Sequence, residues 1–169
     1  LALSKDGGPA LIIGYPRNDN GKLKNSAALI DNGTISIVDK FHLPSYGVFD
    51  EERLFHSERV SGPIAFRGIR IGLMICEDMW FSDVSESLQE SGAQILVVIN
   101  GSPFDQNKED ERISVAVSRI VETNLPLIYV NQIGGQDELV FDGGSFVLNN
   151  KSMLCIQSSD WKEEINFAE

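Results

Sequence analysis

The stretch "IGLMICEDMW" (Ile71–Trp80) joins an apolar run to a cysteine and two acidic residues. A short apolar run of this kind is typical of a strand buried in a sheet. Cys76 ends the run, directly before Glu77 and Asp78. Neighbouring carboxylates raise the pKa of a thiol and make it less reactive. Cys76 is therefore either an inert core residue or a nucleophile whose acidic neighbours are offset by a positive charge from elsewhere in the chain.

The segments that flank this stretch alternate between helix and strand patterns. Apolar residues at helical spacing predict helices over 83–93 and 112–124. Apolar, β-branched runs predict buried strands over 94–100 and 125–132. This alternation is typical of the α/β class, and 169 residues suit one domain.

Hairpin patterns at both ends of the chain indicate a mixed sheet. Asn32-Gly33 separates two apolar runs and predicts a two-residue hairpin turn. The segments 144–150 and 152–158 predict a closing hairpin. Pro16 is expected to end the first strand, because proline cannot donate a hydrogen bond to a neighbouring strand.

Polar residues follow three of the predicted strands. Cys76, Asn100 and Asn131 each stand at the C-terminal end of an apolar run. Ligands bind at this edge of open α/β sheets, so the three residues predict a site there. The alternative for the two asparagines is that they only cap strand ends, since asparagine is a common turn residue.

Charge and composition exclude several function classes. The net charge of −11 argues against nucleic acid and anionic membrane surfaces as partners. Two cysteines without a CxxC pair and two histidines, His42 and His56, do not form a metal-ligand pattern. Cys155 is expected to pack in the core, and both histidines to order loops. The sequence has neither an apolar run long enough for a membrane span nor the apolar core of a signal peptide, so a cytoplasmic location is expected.

Lys40 is the candidate for the compensating charge. It ends a predicted strand over 34–40 and opens the loop "FHLPSYGVFDEERLF" (41–55), which carries Pro44 and Gly47. We expect this loop to hold the Lys40 ammonium within about 4–6 Å of Cys76, where it favours the thiolate.

Four blocks of sequence resemble one family. They are "DKFHLPSYGVFDEERLF" (39–55), "GLMICEDMW" (72–80), "NGSPFDQNK" (100–108) and "YVNQIGGQDELVFDGGSF" (129–146). In this order they are similar to the glutaminase domain of glutamine-dependent NAD synthetases, within the nitrilase superfamily of carbon-nitrogen hydrolases. The resemblance implies a four-layer α-β-β-α sandwich with mixed sheets.

The resemblance also implies a Glu-Lys-Cys triad that hydrolyses the side-chain amide of glutamine. Cys76 would form a thioester and Lys40 would stabilise the oxyanion. Glu51 or Glu52 would be a supporting carboxylate, because the glutamate base of the family lies upstream of residue 1. The residues that match substrate-binding positions are Tyr46, Glu77, Trp80, Ser102 and Lys108. For Trp80, a place in the core is an equal alternative.

The expected partners follow from the same resemblance. Ammonia would pass to a separate synthetase domain, which binds ATP and Mg and amidates nicotinic acid adenine dinucleotide to NAD. Residues 1–169 would then be a glutaminase fragment of a longer, homo-oligomeric enzyme, without cofactor or metal of its own. The alternatives are a stand-alone amidase for another small amide and a non-catalytic interaction domain with the same fold.

Overall fold

The computed structural model describes residues 2–168, which form eleven strands, two α-helices and two short 3-10 helices. The 3-10 helices span Ala2–Ser4 and Cys76–Trp80, and the α-helices are α1 (Ser82–Glu90) and α2 (Lys108–Thr123). The strands are β1 (Leu11–Asp19), β2 (Lys22–Asp31), β3 (Thr34–Asp39), β4 (Ile64–Phe66), β5 (Ile69–Ile75), β6 (Ile95–Asn100), β7 (Leu127–Asn131), β8 (Ile133–Gln136), β9 (Leu139–Asp142), β10 (Phe146–Leu148) and β11 (Leu154–Gln157).

The strands form two main sheets. One is antiparallel, in the order β1-β2-β3. The other has the order β11-β10-β7-β6-β5-β4, with β5, β6 and β7 parallel and antiparallel strands on both sides of them. A separate hairpin joins β8 to β9. The mixed character predicted from the hairpin patterns is confirmed.

Two hydrophobic clusters lie on opposite faces of the six-stranded sheet. Leu73 and Ile75 of β5 belong to the cluster shared with the three-stranded sheet, which also contains Ala27 and Leu29. Met74, between them in sequence, belongs to the cluster formed with the helices. Because successive side chains of a strand point to opposite faces, an almost wholly apolar strand supplies both clusters.

The layers are therefore three-stranded sheet, six-stranded sheet and helices, which confirms the α/β sandwich. Residues 2–168 place no α-helix over the outer face of the three-stranded sheet, where the resemblance implies the fourth layer. Ile13, Ile35 and Ile37 on these strands are 45–47% exposed. Neither α-helix of the described residues is long and apolar enough to cross a membrane.

The prediction that Pro16 ends the first strand is wrong. β1 continues through Pro16 to Asp19, paired along its length with β2. This is possible because β1 is an edge strand, where a missing N–H leaves no neighbouring strand unpaired. The strand ends instead at Asn20-Gly21, whose positive φ angles of 52° and 85° suit a two-residue hairpin turn.

Other local predictions have mixed outcomes. Helix α1 and the closing hairpin lie where expected, whereas α2 begins at Lys108, before the predicted 112–124. The prediction that Cys155 packs in the core is wrong, since it is exposed on β11. That strand is the edge of its sheet and has a solvent-facing side, so its apolar residues do not all pack.

Candidate active site

Cys76 occupies a strained turn at the end of β5. Its φ of 48° lies in the left-handed region, which non-glycine residues rarely adopt. The residue begins the 3-10 helix directly after the strand, so the chain turns sharply at the cysteine. Strain of this kind persists where the surrounding structure enforces it, and it is common at active sites.

Cys76 lines a cavity of about 460 Å³ between the two sheets. Asn100 and Asn131 line the same cavity. Parallel pairing places Ile75 beside Ile99 and Asn100 beside Asn131, so the carboxyl ends of β5, β6 and β7 meet at one edge. The structure thus brings together the three polar residues that follow predicted strands.

Lys40 lies in the wall of this cavity, with its side chain only 2% exposed. Its Nζ donates to Glu51 Oε1 at 2.6 Å, and Asn25 Nδ2 donates to Glu51 Oε2 at 3.2 Å. Glu51 and Asn25 also line the cavity. Glu52 is exposed and lines a different cavity, so Glu51 is the carboxylate of this loop that contacts Lys40.

Asp78 connects the Lys40 loop to the Cys76 turn. Its carboxylate accepts hydrogen bonds from the backbone N–H groups of Ile75, Phe41 and His42, at 2.8 to 3.0 Å. Burial raises the pKa of Asp78, and these three donors act against that rise. The sequence indicates an acidic residue beside the thiol, but the long-range partners that give it this connecting role lie 36 and 37 residues away.

The environment of Cys76 favours the protonated form of the thiol. Burial is the largest cause of its raised pKa, and the charge of Lys40 lowers it. Glu77, Glu51 and Asp78 raise the pKa further. Lys40 therefore offsets the carboxylates only in part, and attack by sulfur requires a base that removes the thiol proton.

Tyr46 and Glu77 form a pair on a second cavity of about 610 Å³. The Tyr46 hydroxyl donates to Glu77 Oε1 at 2.7 Å, and Glu77 is buried. Burial, this hydrogen bond and the nearby negative charge of Glu77 raise the pKa of Tyr46. His42 lines the same cavity, and its ring stacks on Phe81 with centroids 4.2 Å apart.

Trp80 and Lys108 form a second pair. The Lys108 ammonium lies 4.2 Å from the centroid of the Trp80 ring, within the range of a cation–π interaction. Lys108 also contacts Glu111 at 3.3 Å. Trp80 is half-buried, so it is both a packing residue and a support for the lysine.

Ser102 is buried next to Gly101, which lines the Cys76 cavity. Its hydroxyl accepts a hydrogen bond from Arg112 Nε at 3.2 Å, and its backbone N–H donates to Asn131 Oδ1 at 2.9 Å. Arg112 is a residue of this site that the sequence patterns did not predict. The sequence does place this arginine at the start of an apolar helical stripe. An arginine on the buried face of a helix indicates a buried ion pair.

Known proteins with similar sequences belong to one family. The family model of carbon-nitrogen hydrolases matches residues 1–169. A glutamine-dependent NAD(+) synthetase of Rhodobacter capsulatus is 42% identical over 166 residues, covering 98% of this chain and 30% of that protein. The corresponding enzyme of Acinetobacter baylyi is 33% identical over 161 residues, again covering 30% of its length. The chain thus spans about 30% of these relatives.

Solved structures give the same result for the fold. The glutamine-dependent NAD+ synthetase of Acinetobacter baumannii, in complex with ADP, superposes with a TM-score of 0.89 at 33% identity, covering 96% of this chain and 31% of that one. A carbon-nitrogen hydrolase of Helicobacter pylori gives 0.80 at 26% identity, covering 91% and 59%. An amidase of Nesterenkonia, described with acrylamide added at its active-site cysteine, gives 0.79 at 25% identity, covering 94% and 62%.

Proposed function

The chain belongs to the carbon-nitrogen hydrolase family, and we propose that it hydrolyses the side-chain amide of glutamine through a Cys76 thioester. The ammonia released would serve the ATP-dependent amidation of nicotinic acid adenine dinucleotide to NAD in a synthetase domain. The observation that carries the proposal is the single cavity lined by the Lys40–Glu51 ion pair and by Cys76 in its strained turn. The names of the relatives that span this chain support the choice of glutamine.

In the first half of the reaction, the Cys76 sulfur attacks the amide carbon while a base takes the thiol proton. The amide oxygen becomes an oxyanion, which the Lys40 ammonium stabilises together with a backbone N–H near Glu77. The tetrahedral intermediate collapses when the C–N bond breaks, and the nitrogen leaves as ammonia after receiving a proton. A thioester of the glutamate side chain remains on Cys76.

In the second half, water attacks the thioester carbon and the base accepts a proton from that water. The C–S bond breaks, the thiol is restored and glutamate leaves. Glu51 is proposed as the supporting carboxylate rather than the base, because its Oε1 already accepts a 2.6 Å hydrogen bond from Lys40. The base itself is the upstream glutamate that the family resemblance implies.

Recognition of glutamine requires groups for its α-ammonium and α-carboxylate. The buried Glu77 carboxylate, held by Tyr46, is suited to an ammonium group. Lys108 on the face of Trp80 is suited to a carboxylate, although an ammonium lacks the bidentate geometry of a guanidinium. Ser102, whose hydroxyl accepts a hydrogen bond from Arg112, follows Gly101 of the cavity wall and is proposed as a further contact for the substrate.

The partners of the reaction lie outside the chain. ATP and Mg are assigned to the synthetase domain, and the assembled enzyme is proposed to be a homo-oligomer. A stand-alone amidase for small amides is the second candidate, since the Nesterenkonia amidase also superposes over 94% of this chain.

The deciding experiment uses Cys76→Ser in the chain joined to a synthetase domain. We expect the variant to lose glutamine-dependent NAD formation and to keep ammonia-dependent formation, because the synthetase site accepts ammonia directly. Retained glutamine-dependent activity would contradict the nucleophile assignment. Faster hydrolysis of simple aliphatic amides than of glutamine by the parent protein would favour the amidase.

A further inference from the structure

A buried ion pair lies behind the wall of the Cys76 cavity. Arg112 of α2 is 1% exposed, and its Nη1 donates to both carboxylate oxygens of Asp142 at 3.0 and 2.8 Å. Asp142 ends β9 and is itself buried. An ion pair removed from water to this extent contributes little net stability compared with apolar residues of similar volume, so its presence calls for another explanation.

The remaining donors of Arg112 hold the segment that follows β6. Nε donates to Ser102 Oγ at 3.2 Å, and Nη2 donates to the carbonyl oxygens of Ser102 and Pro103 at 3.0 Å each. The guanidinium thus donates hydrogen bonds from all three of its nitrogens. Its planar fork fixes the position of two consecutive carbonyl groups relative to Asp142.

Asn131 closes the network on the cavity side. Its Oδ1 accepts the Ser102 N–H at 2.9 Å, and its Nδ2 donates to the Ser102 carbonyl at 3.2 Å. Asn131 and Gly101 both line the cavity that contains Cys76. The network therefore runs from the helix, through the Ser102 backbone, to the surface that faces the reacting thiol.

We propose that Arg112 and Asp142 are positioning residues, which hold Ser102 and Asn131 in the geometry that a bound glutamine side chain needs to meet Cys76. They act through these two residues and do not touch the substrate. The inference rests on the proposed function, because it takes Cys76 as the nucleophile and glutamine as the substrate. A shift of about 1 Å in such a frame can cost roughly 100-fold in rate.

The test measures alkylation of Cys76 by two reagents in the chain with Cys155→Ser. A chloroketone analogue of glutamine probes the site, because sulfur displaces chloride at the CH2 carbon without needing the base of the amide reaction. Iodoacetamide probes the thiol alone. We expect Arg112→Lys to raise the inhibitor constant for the chloroketone by about 10-fold or more and to leave the iodoacetamide rate within about twofold. Lysine keeps the charge but loses the fork.

A matched control is Arg67→Lys, in the turn before β5, which removes the fork of another arginine–aspartate pair, formed with Asp31 outside the network. We expect it to leave the chloroketone constants unchanged. Circular dichroism verifies folding, and Asp142→Asn replaces Arg112→Lys in the comparison if the latter does not fold.

Two results would overturn the inference, and they are distinguishable. Saturable labelling of the parent chain with unchanged constants in the network variants would overturn it alone. Labelling of the parent that rises linearly with chloroketone concentration would overturn the glutamine site, and the inference with it.

Discussion

At the scale of single residues, Cys76 experiences opposing influences. Burial and the carboxylates of Glu77, Glu51 and Asp78 favour the protonated thiol, while Lys40 favours the thiolate. The strained backbone fixes where the sulfur lies, but it does not ionise it. A thiol in this environment is less reactive than an exposed, ordinary one, so a Cys76 nucleophile would need a base as well as Lys40.

The raised pKa of Cys76 predicts a particular pH profile. Because only the thiolate reacts, alkylation of Cys76 by iodoacetamide should rise with pH through a midpoint above about 8.5, the value of an ordinary thiol. Lys40→Met should move the midpoint higher, since it removes a positive charge that lowers this pKa. Lys40→Arg keeps the charge and should move it less. Rates measured by mass spectrometry of the Cys76 peptide check the prediction, and a midpoint below about 8.5 would contradict it.

Asp78 gives a second prediction at this scale. Asp78→Ala leaves three backbone N–H groups without an acceptor, two of them in the loop after Lys40. We expect the free energy of unfolding to fall by about 3 kcal/mol, from the loss of hydrogen bonds to a charged group and the burial of unpaired donors. Glu86→Ala, at an exposed position of α1, is the control and should change it by less than about 0.5 kcal/mol. Urea titration measures both, and equal effects would contradict the connecting role.

At the scale of elements, α1 packs closely on the six-stranded sheet at Gly72 of β5. A Cβ built on Gly72 would lie 2.9 Å from Leu96 Cδ2 and 3.2 Å from both Ala93 Cβ and Leu88 Cδ1. Those neighbours belong to the buried cluster between helices and sheet. The glycine thus sets how near the helix can approach the strand that carries Cys76.

We therefore expect Gly72→Ala to destabilise the fold by about 1–3 kcal/mol, the usual cost of overpacking. Gly62→Ala is the matched control, because a Cβ there meets nothing within 4 Å. The melting temperatures of the two variants should differ by several degrees, in the order Gly62→Ala above Gly72→Ala. The reverse order would contradict the close packing of α1 on β5 at Gly72.

The same scale shows what sequence patterns could and could not predict. Periodicity and turn residues gave the α/β order and the hairpin at Asn32-Gly33, because both depend on neighbours along the chain. Pro16 was misplaced because its tolerance depends on β1 being an edge strand, a property of the assembled sheet. Arg112 was missed for the same reason, since Asp142 is 30 residues away. Lys40 and Cys76 were paired in advance only by an electrostatic argument and the family resemblance.

At the scale of the whole molecule, the outer face of the three-stranded sheet carries half-exposed apolar side chains within residues 2–168. Ile13 of β1 and Ile37 of β3 pair with Ala28 of β2 from its two sides. Ile35 lies two residues before Ile37 on β3, so its side chain is on the same face of the sheet. All three isoleucines are 45–47% exposed, whereas the face toward the six-stranded sheet is buried. An apolar sheet face of this kind promotes association unless another layer covers it.

The final prediction concerns catalysis by the chain on its own. We expect the 169-residue chain to release ammonia from glutamine far more slowly than a version extended upstream to include the glutamate base that the family resemblance implies. The reason is that the environment of Cys76 favours the protonated thiol, and Glu51, the carboxylate that lines the cavity, is already bound to Lys40 and Asn25. Loss of a positioned base typically costs roughly 10²–10⁴-fold.

Ammonia release measured at matched concentrations of folded protein gives the comparison, with the Cys76→Ser form of each as background. Glu51→Gln in the extended protein separates the two carboxylates. If Glu51 only supports Lys40, Glu51→Gln should retain more activity than a variant lacking the upstream glutamate. The reason is that the amide oxygen introduced at position 51 still accepts a hydrogen bond from the Lys40 ammonium. Equal rates for the short and extended proteins, abolished by Glu51→Gln, would make Glu51 the base and would relocate the triad to residues of this chain.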